Sequence, residues 1–215
     1  MISDILGFAL VAGLLTLVPG LDTALVLRTA VALGRRSAFA SVLGIDCGLL
    51  TWGVAASAGV AALLEASQLA YTVLKLAGAL YLAGLGATLI WQAWGRRGVK
   101  AQGGGVPPRE RAASRRGAGG AWARGAATNL LNPKVGVFYM AVLPLFIPAH
   151  ANHLAVGVLL TSIHCAEGLV WLSLLILGVH AIRRWVASRA FERGVDTVTG
   201  SVLVGFGVTL ALSRR

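Results

Sequence analysis

Six apolar stretches, at about 5–27, 38–64, 68–94, 125–147, 153–180 and 195–212, occupy most of this 215-residue chain. A helix needs about 20 apolar residues to cross a hydrocarbon core of about 30 Å. Backbone groups inside lipid must be satisfied within the segment, and the runs lack the alternation of a β-barrel, so six transmembrane helices are expected. Hydrophobic residues make up 57% of the sequence and charged residues 13%, with a mean hydropathy of +0.78, which excludes a soluble globular enzyme. The sixth stretch is diluted by Gly200, Gly205 and Gly207. Met1-Ile-Ser-Asp4 lacks the positive region of a signal peptide, so the first apolar stretch is expected to remain in the mature protein.

The net charge of +11 is arranged by loop. Of the 19 Lys and Arg residues, 15 fall after the first, third and fifth stretches, in groups around Arg28–Arg36, Arg96–Arg124 and Arg183–Arg193. Loops of that kind face the cytoplasm. The links around Glu65–Gln68 and Pro148–His153 contain no Lys or Arg, so these and both termini are expected outside. Residues 95–124, rich in Gly, Pro and Arg, read as a flexible basic cytoplasmic linker between two halves, 1–94 and 125–215. Its charge sets topology and meets membrane lipid, with no sign of a nucleic-acid platform. Three spans per half force the halves to run through the membrane in opposite senses, the arithmetic of an inverted repeat.

The two halves carry matching interruptions. Leu17-Val18-Pro19-Gly20-Leu21-Asp22-Thr23 breaks the first stretch, and Thr128-Asn129-Leu130-Leu131-Asn132-Pro133-Lys134 breaks the fourth. Proline removes a backbone donor and clashes with the preceding turn. Asp22 and Asn132 can each serve as an N-cap, and Asn132-Pro133 has the order of a helix restart. Pro19 precedes Arg28 by nine residues and Pro133 follows Arg124 by nine, which puts both breaks about 13 Å from the cytoplasmic edge, near the midplane. Discontinuous helices at that depth are where transporters hold substrate.

A zwitterionic solute needs an anion binder and a cation binder a few ångströms apart. Helix N-termini and Lys134 can supply the first, and Asp22 the second. The alternative for Asp22 and Lys134 is a structural pair bridging the halves. The substrate-binding candidates are therefore Pro19, Gly20, Asp22, Thr23, Asn129, Asn132, Pro133 and Lys134. Asp46, His164 and Glu167 lie within the second spans of the two halves, where an ionisable group normally faces a cavity, and are candidates for proton coupling. Gly44 and Gly48, like Gly78, Ala79, Ala83 and Ala87, have the spacing of close helix packing. Trp91, Trp94 and Trp122 suit the interfacial aromatic belt.

Val18-Pro19-Gly20-Leu21-Asp22 followed by Arg28, Gly34 and Gly44, then Leu74-Lys-Leu-Ala-Gly-Ala-Leu-Tyr-Leu82, then Asn129-Leu-Leu-Asn-Pro-Lys134, resembles the lysine/homoserine exporter family, LysE/RhtB. The resemblance covers nearly the whole chain. The chain departs from the family pattern at Leu21, where a Pro is common, and at Leu145, where a Gln is frequent. What the resemblance implies is a secondary exporter of amino acids or close derivatives in a bacterial inner membrane, driven by an ion gradient; proton antiport is the expected coupling. No enzyme activity, metal or cofactor is expected, and no phosphate-binding loop occurs. A glycine-rich, lipid-facing helix is compatible with a homodimer. Two alternatives remain: a thiol–disulfide electron carrier using Cys47 and Cys165, which sit in corresponding spans outside any C-x-x-C motif, or a passive small-solute channel.

Overall fold

A computed structural model describes residues 2–66, 68–95, 117–148, 150–178 and 188–212. Among these the chain is all-α: α1 (Ile2–Leu17), α2 (Leu21–Leu33), α3 (Arg35–Ala66), α4 (Gln68–Gly95), α5 (Gly117–Leu130), α6 (Pro133–Ala141), a 3-10 turn (Leu143–Phe146), α7 (His153–Leu177) and α8 (Arg189–Leu212). Arg35–Gly59, Leu76–Trp94 and His153–Leu177 are each long and apolar enough to cross a membrane. The pair α1 and α2, bent by 52° at its break, makes a fourth crossing if taken as one span.

The expected interruptions are both present. Val18, Pro19 and Gly20 separate α1 from α2, while Leu131 and Asn132 separate α5 from α6. Asn132 caps α6 as its sequence foretold: its side chain accepts from the Lys134 backbone N–H at 3.1 Å, with Pro133 opening the helix. Asp22 differs from expectation. The cap of α2 is Gly20, which offers no side-chain acceptor, and Asp22 sits within the first turn with its carboxylate turned elsewhere. Helix α2 then ends at Gly34, whose φ of 81° suits a residue without a Cβ, and α3 starts directly after it.

The linker also needs a correction. Gly117-Ala-Gly-Gly-Ala-Trp-Ala-Arg124 was expected to be flexible, yet it forms the first part of α5. Its glycines let the backbone approach α3: a Cβ on Gly125 would strike the Ser41 carbonyl, and one on Gly44 would strike the Trp122 carbonyl. Close packing of this kind outweighs the poor helix propensity of glycine. Residues 96–116 of the proposed linker, and 179–187 with Arg183 and Arg184, lie outside the described residues.

Helix α3 packs against α5 and α7, and α4 packs along α8. In the latter pair Gly86 and Gly200 each face the other's carbonyl, which a Cβ would approach within 2.5–2.6 Å, and Gly207 faces Ala79 and Ala83. Two of the glycines that dilute the sixth apolar stretch, Gly200 and Gly207, thus hold α8 to α4. Helices α3 and α7 are antiparallel: Gly53 meets Thr161 and Gly157 meets Ser57. At the far end of the pair the Arg35 guanidinium donates to the Leu177 carbonyl at 3.3 Å. The outer surface carries Leu69, Leu80, Trp91, Trp94 and Leu131, all exposed, while Phe8, Phe138, Tyr139, Leu143 and Leu160 are fully buried at the centre. A surface this apolar around a packed interior belongs in lipid.

Candidate functional site

The two breaks meet around one cavity of ≈ 60 Å³. That is room for a few waters, well short of the about 300–1,000 Å³ of an open ligand pocket. Its polar wall is formed by Thr16, Asp22, Thr23, Asp46, Asn132, Lys134 and His164, and its apolar wall includes Val18, Ile45, Leu49, Val135 and Leu172. Gly20 also lines it. Five helices contribute, α1, α2, α3, α6 and α7, so residues more than a hundred positions apart in sequence converge on it.

Two asparagines bear on the Asp22 carboxylate, Asn129 and the capping Asn132. The Asn129 side-chain amide donates to Asp22 Oδ2 at 2.9 Å, and Asp22 Oδ1, buried, has no hydrogen-bond partner. Asn129 is fully buried and its carboxamide oxygen lies against Gly48, where a Cβ would come within 2.6 Å. Asn129 therefore orients Asp22 and does not itself line the cavity. Asp46 presents a second unpartnered oxygen, Oδ1, and lies in the same wall. A buried carboxylate oxygen without a donor is costly unless a ligand, water or proton completes it.

Lys134 works differently from a simple partner of Asp22. Its ammonium donates to the carbonyls of Leu15 at 3.1 Å and Val18 at 3.3 Å, the acceptors freed where α1 stops. Lysine from the start of α6 thus caps the end of α1 and joins the two interrupted helices. Asp22 and Asp196 of α8 both act on it electrostatically. An ammonium has three donors, so one remains for a further acceptor. The Tyr81 hydroxyl donates to the Lys134 carbonyl at 3.4 Å.

His164 connects the cavity to the packed interior. Thr16 gives its only hydroxyl proton to the Ala12 carbonyl at 2.9 Å, so the 3.1 Å contact between Thr16 Oγ1 and His164 Nε2 is one in which the ring donates. In the neutral imidazole Nδ1 is then the acceptor, and the Tyr139 hydroxyl donates to it at 3.0 Å. Glu167 does not share the cavity. Its carboxyl group packs about Gly13 of α1, within 3.5 Å of where a Cβ would stand, and its Oε2 has no partner. Pro19 and Pro133 are exposed and shape the breaks without lining the cavity.

Three contributors escaped the sequence reading. Thr16 and Tyr139 position His164, and Asp196 completes the charge set around Lys134. Thr16 lies one helical turn from the break, a usable signal; Tyr139 and Asp196 give none without the fold. Cys47 is exposed and Cys165 is half-buried, with its Sγ 3.8 Å from the Asp46 carbonyl; both are free. No group of three metal-ligating side chains occurs among the described residues.

A membrane-embedded helical protein whose polar residues converge on a cavity between interrupted helices has the construction of a translocator, not of an enzyme. The chain belongs to the LysE type translocator family, whose pattern matches residues 14–214. It is 27% identical over 213 residues to the uncharacterized membrane protein YrhP of Bacillus subtilis, covering 98% of this chain and 99% of that one. It is 29% identical over 198 residues to the threonine efflux protein of Escherichia coli K12, covering 91% of each. With the leucine efflux protein of Enterobacter sp. 638 it shares 26% over 199 residues, 92% of this chain and 90% of that one. No solved structure matches.

Proposed function

We propose that the protein exports an amino acid or close derivative across a bacterial inner membrane, and that the cavity at the two breaks is its binding site. The observation that carries this reading is Asp22 Oδ1: a buried carboxylate oxygen, fixed by Asn129 on its other side, facing a cavity without a donor of its own. An α-ammonium group supplies that donor. The substrate carboxylate falls to the free donor of Lys134 and the first turn of α6, and the side chain to the apolar wall of Ile45, Leu49 and Leu172. The threonine and leucine efflux relatives support substrates of this class.

The proposed architecture is six spans in two inverted halves, 1–94 and 125–215, joined by a basic cytoplasmic linker. Matching breaks in α1–α2 and α5–α6 support it, as do the antiparallel packing of α3 on α7 and of α4 on α8. The clustering of Arg28, Arg35, Arg36 and Arg96–Arg124 supports a cytoplasmic linker with both termini outside. Coupling is to protons moving inward. Asp46, in the cavity wall with its own unpartnered oxygen, is the proton carrier this arrangement favours, with His164 in the same wall; Glu167 packs about Gly13 and is not among the lining residues, which argues against a direct share in that role.

The test is transport in proteoliposomes with a panel of radiolabelled amino acids. Export that accelerates when an inward proton gradient is imposed supports antiport. Movement of solute at a rate indifferent to the gradient would make the protein a passive channel.

A further inference from the structure

A cluster of aromatic rings packs against His164, which lines the cavity. Phe8 of α1, Phe138 and Tyr139 of α6, and Phe146 of the 3-10 turn are all buried, the first three completely. Phe8 stands 5.9 Å from Phe138 and 5.6 Å, edge to face, from Phe146. Phe138 meets Tyr139 at 5.6 Å and Phe146 meets Phe206 of α8 at 5.3 Å. His164 belongs to both regions: it lines the cavity, stacks on Tyr139 at 5.8 Å and meets the edges of Phe8 and Phe138 at 6.4 and 5.7 Å.

The position of this cluster along the helices is what gives it meaning. On α7 the cavity is lined by His164, Gly168 and Leu172, running toward Leu177, whose carbonyl takes a hydrogen bond from Arg35. On α3 it is lined by Ile45, Asp46 and Leu49, in the half that begins at Arg35. The rings lie the other way, with the end of α6, the turn at Leu143–Phe146 and the start of α7. The cavity is therefore separated from the face opposite the arginines by a layer of aromatic side chains drawn from both interrupted helices. We infer that Phe8, Phe138, Tyr139 and Phe146 form the gate on that face, and that the Tyr139–His164–Thr16 hydrogen bonds latch it to the cavity wall.

Three features fit a gate better than inert core. Three of the four rings come from α1 and α6, the segments that flank the breaks, so a hinge at Val18–Gly20 or at Leu131–Asn132 would separate Phe8 from Phe138. The latch crosses between three helices through one imidazole, so one side chain reports the state of the cavity to the rings. The cavity is also too small for an amino acid unless its walls part. The inference rests on the translocator reading but not on the identity of the solute.

Sided labelling tests it. In a Cys47→Ala, Cys165→Ala background, Leu49→Cys places a thiol in the cavity wall, and a separate chain with Gly104→Cys marks the linker side. Reconstituted protein is exposed to a membrane-impermeant maleimide from one side at a time. Phe8→Ala and Phe138→Ala are expected to raise the labelling rate of the Leu49→Cys thiol tenfold or more from the face opposite the linker, leaving the linker-side rate within about twofold. Tyr139→Phe, which keeps the ring and loses the latch, gives a smaller rise on the same face. Phe8→Leu and Phe138→Leu, which preserve apolar volume, serve if the alanine variants do not fold, with a rise of at least threefold expected. An unchanged rate from that face in folded variants, or an equal rise from both faces, overturns the gate. Because no solute is needed, failure here is distinct from failure of amino-acid export, which the transport panel reads separately.

Discussion

Replacing Asp22 by Asn isolates the charge at the centre of the proposed site. Shape is kept, and the Asn129 amide can still donate to the oxygen of the new carboxamide as it does to Oδ2 at 2.9 Å. The group turned to the cavity is then an NH2, so an acceptor for the substrate ammonium becomes a donor facing it. A charge-assisted hydrogen bond contributes about 1.5–3 kcal/mol, and its loss corresponds to an affinity lower by roughly tenfold to 150-fold. Stability should fall much less, because Lys134 keeps its bonds to the Leu15 and Val18 carbonyls without Asp22. Equilibrium binding to purified protein, with thermal unfolding of the same preparation in parallel, separates the two effects. Unchanged affinity in the folded Asp22→Asn variant would refute the assignment. So would a loss of stability as large as the loss of binding, since Asp22 would then be a structural anchor.

Lys134→Met strands the Leu15 and Val18 carbonyls at the break, at a cost of about 1–3 kcal/mol, and should lower the unfolding temperature; adding Asp22→Asn should not restore it, since the carbonyls stay unpaired. A recovery in that double variant would instead mark a simple ion pair. Gly48→Ala pushes a methyl group into the Asn129 carboxamide and so turns Asp22, costing about 1–3 kcal/mol of stability and raising the KM for export more than it lowers the maximal rate; a fall in rate alone would contradict this. The Cys47→Ala, Cys165→Ala variant should retain most transport, because both thiols are free and Cys165 only rests on the Asp46 carbonyl. Loss of activity with a redox-dependent bridge between them would favour the electron carrier.

The amount of this legible in the sequence differs by element. Asn132-Pro133 was readable because capping is local: the acceptor, the missing donor and the helix start lie within three residues. The role of Asp22 was half readable. A polar residue beside Pro19-Gly20 marked the break, but the choice of Gly20 as cap, and the turning of Asp22 toward Asn129, depend on a contact 107 residues away. Gly117–Arg124 misled because glycine-rich sequence favours a linker until another helix accepts its bare backbone, as α3 does at Ser41 and Gly44. Lys134 pointed to a charged site, yet its actual acceptors are carbonyls, which carry no sequence signature and become available only where α1 ends. Asp46, His164 and Glu167 looked equivalent as intramembrane ionisable residues. Helix rotation separates them, turning the first two into the cavity and Glu167 toward Gly13.

The most direct measurement compares binding of free amino acids with that of their N-acetyl derivatives to the purified protein. N-acetylation removes the ammonium and leaves the carboxylate and side chain in place, so it tests the Asp22 contact from the substrate's side. The arrangement of Asp22, Asn129 and Lys134 predicts that an amino acid exported by the protein binds at least tenfold more tightly than its N-acetyl form, and that Asp22→Asn abolishes most of this preference. Equal affinity for the two forms in the wild type, or a preference undiminished by Asp22→Asn, would contradict it.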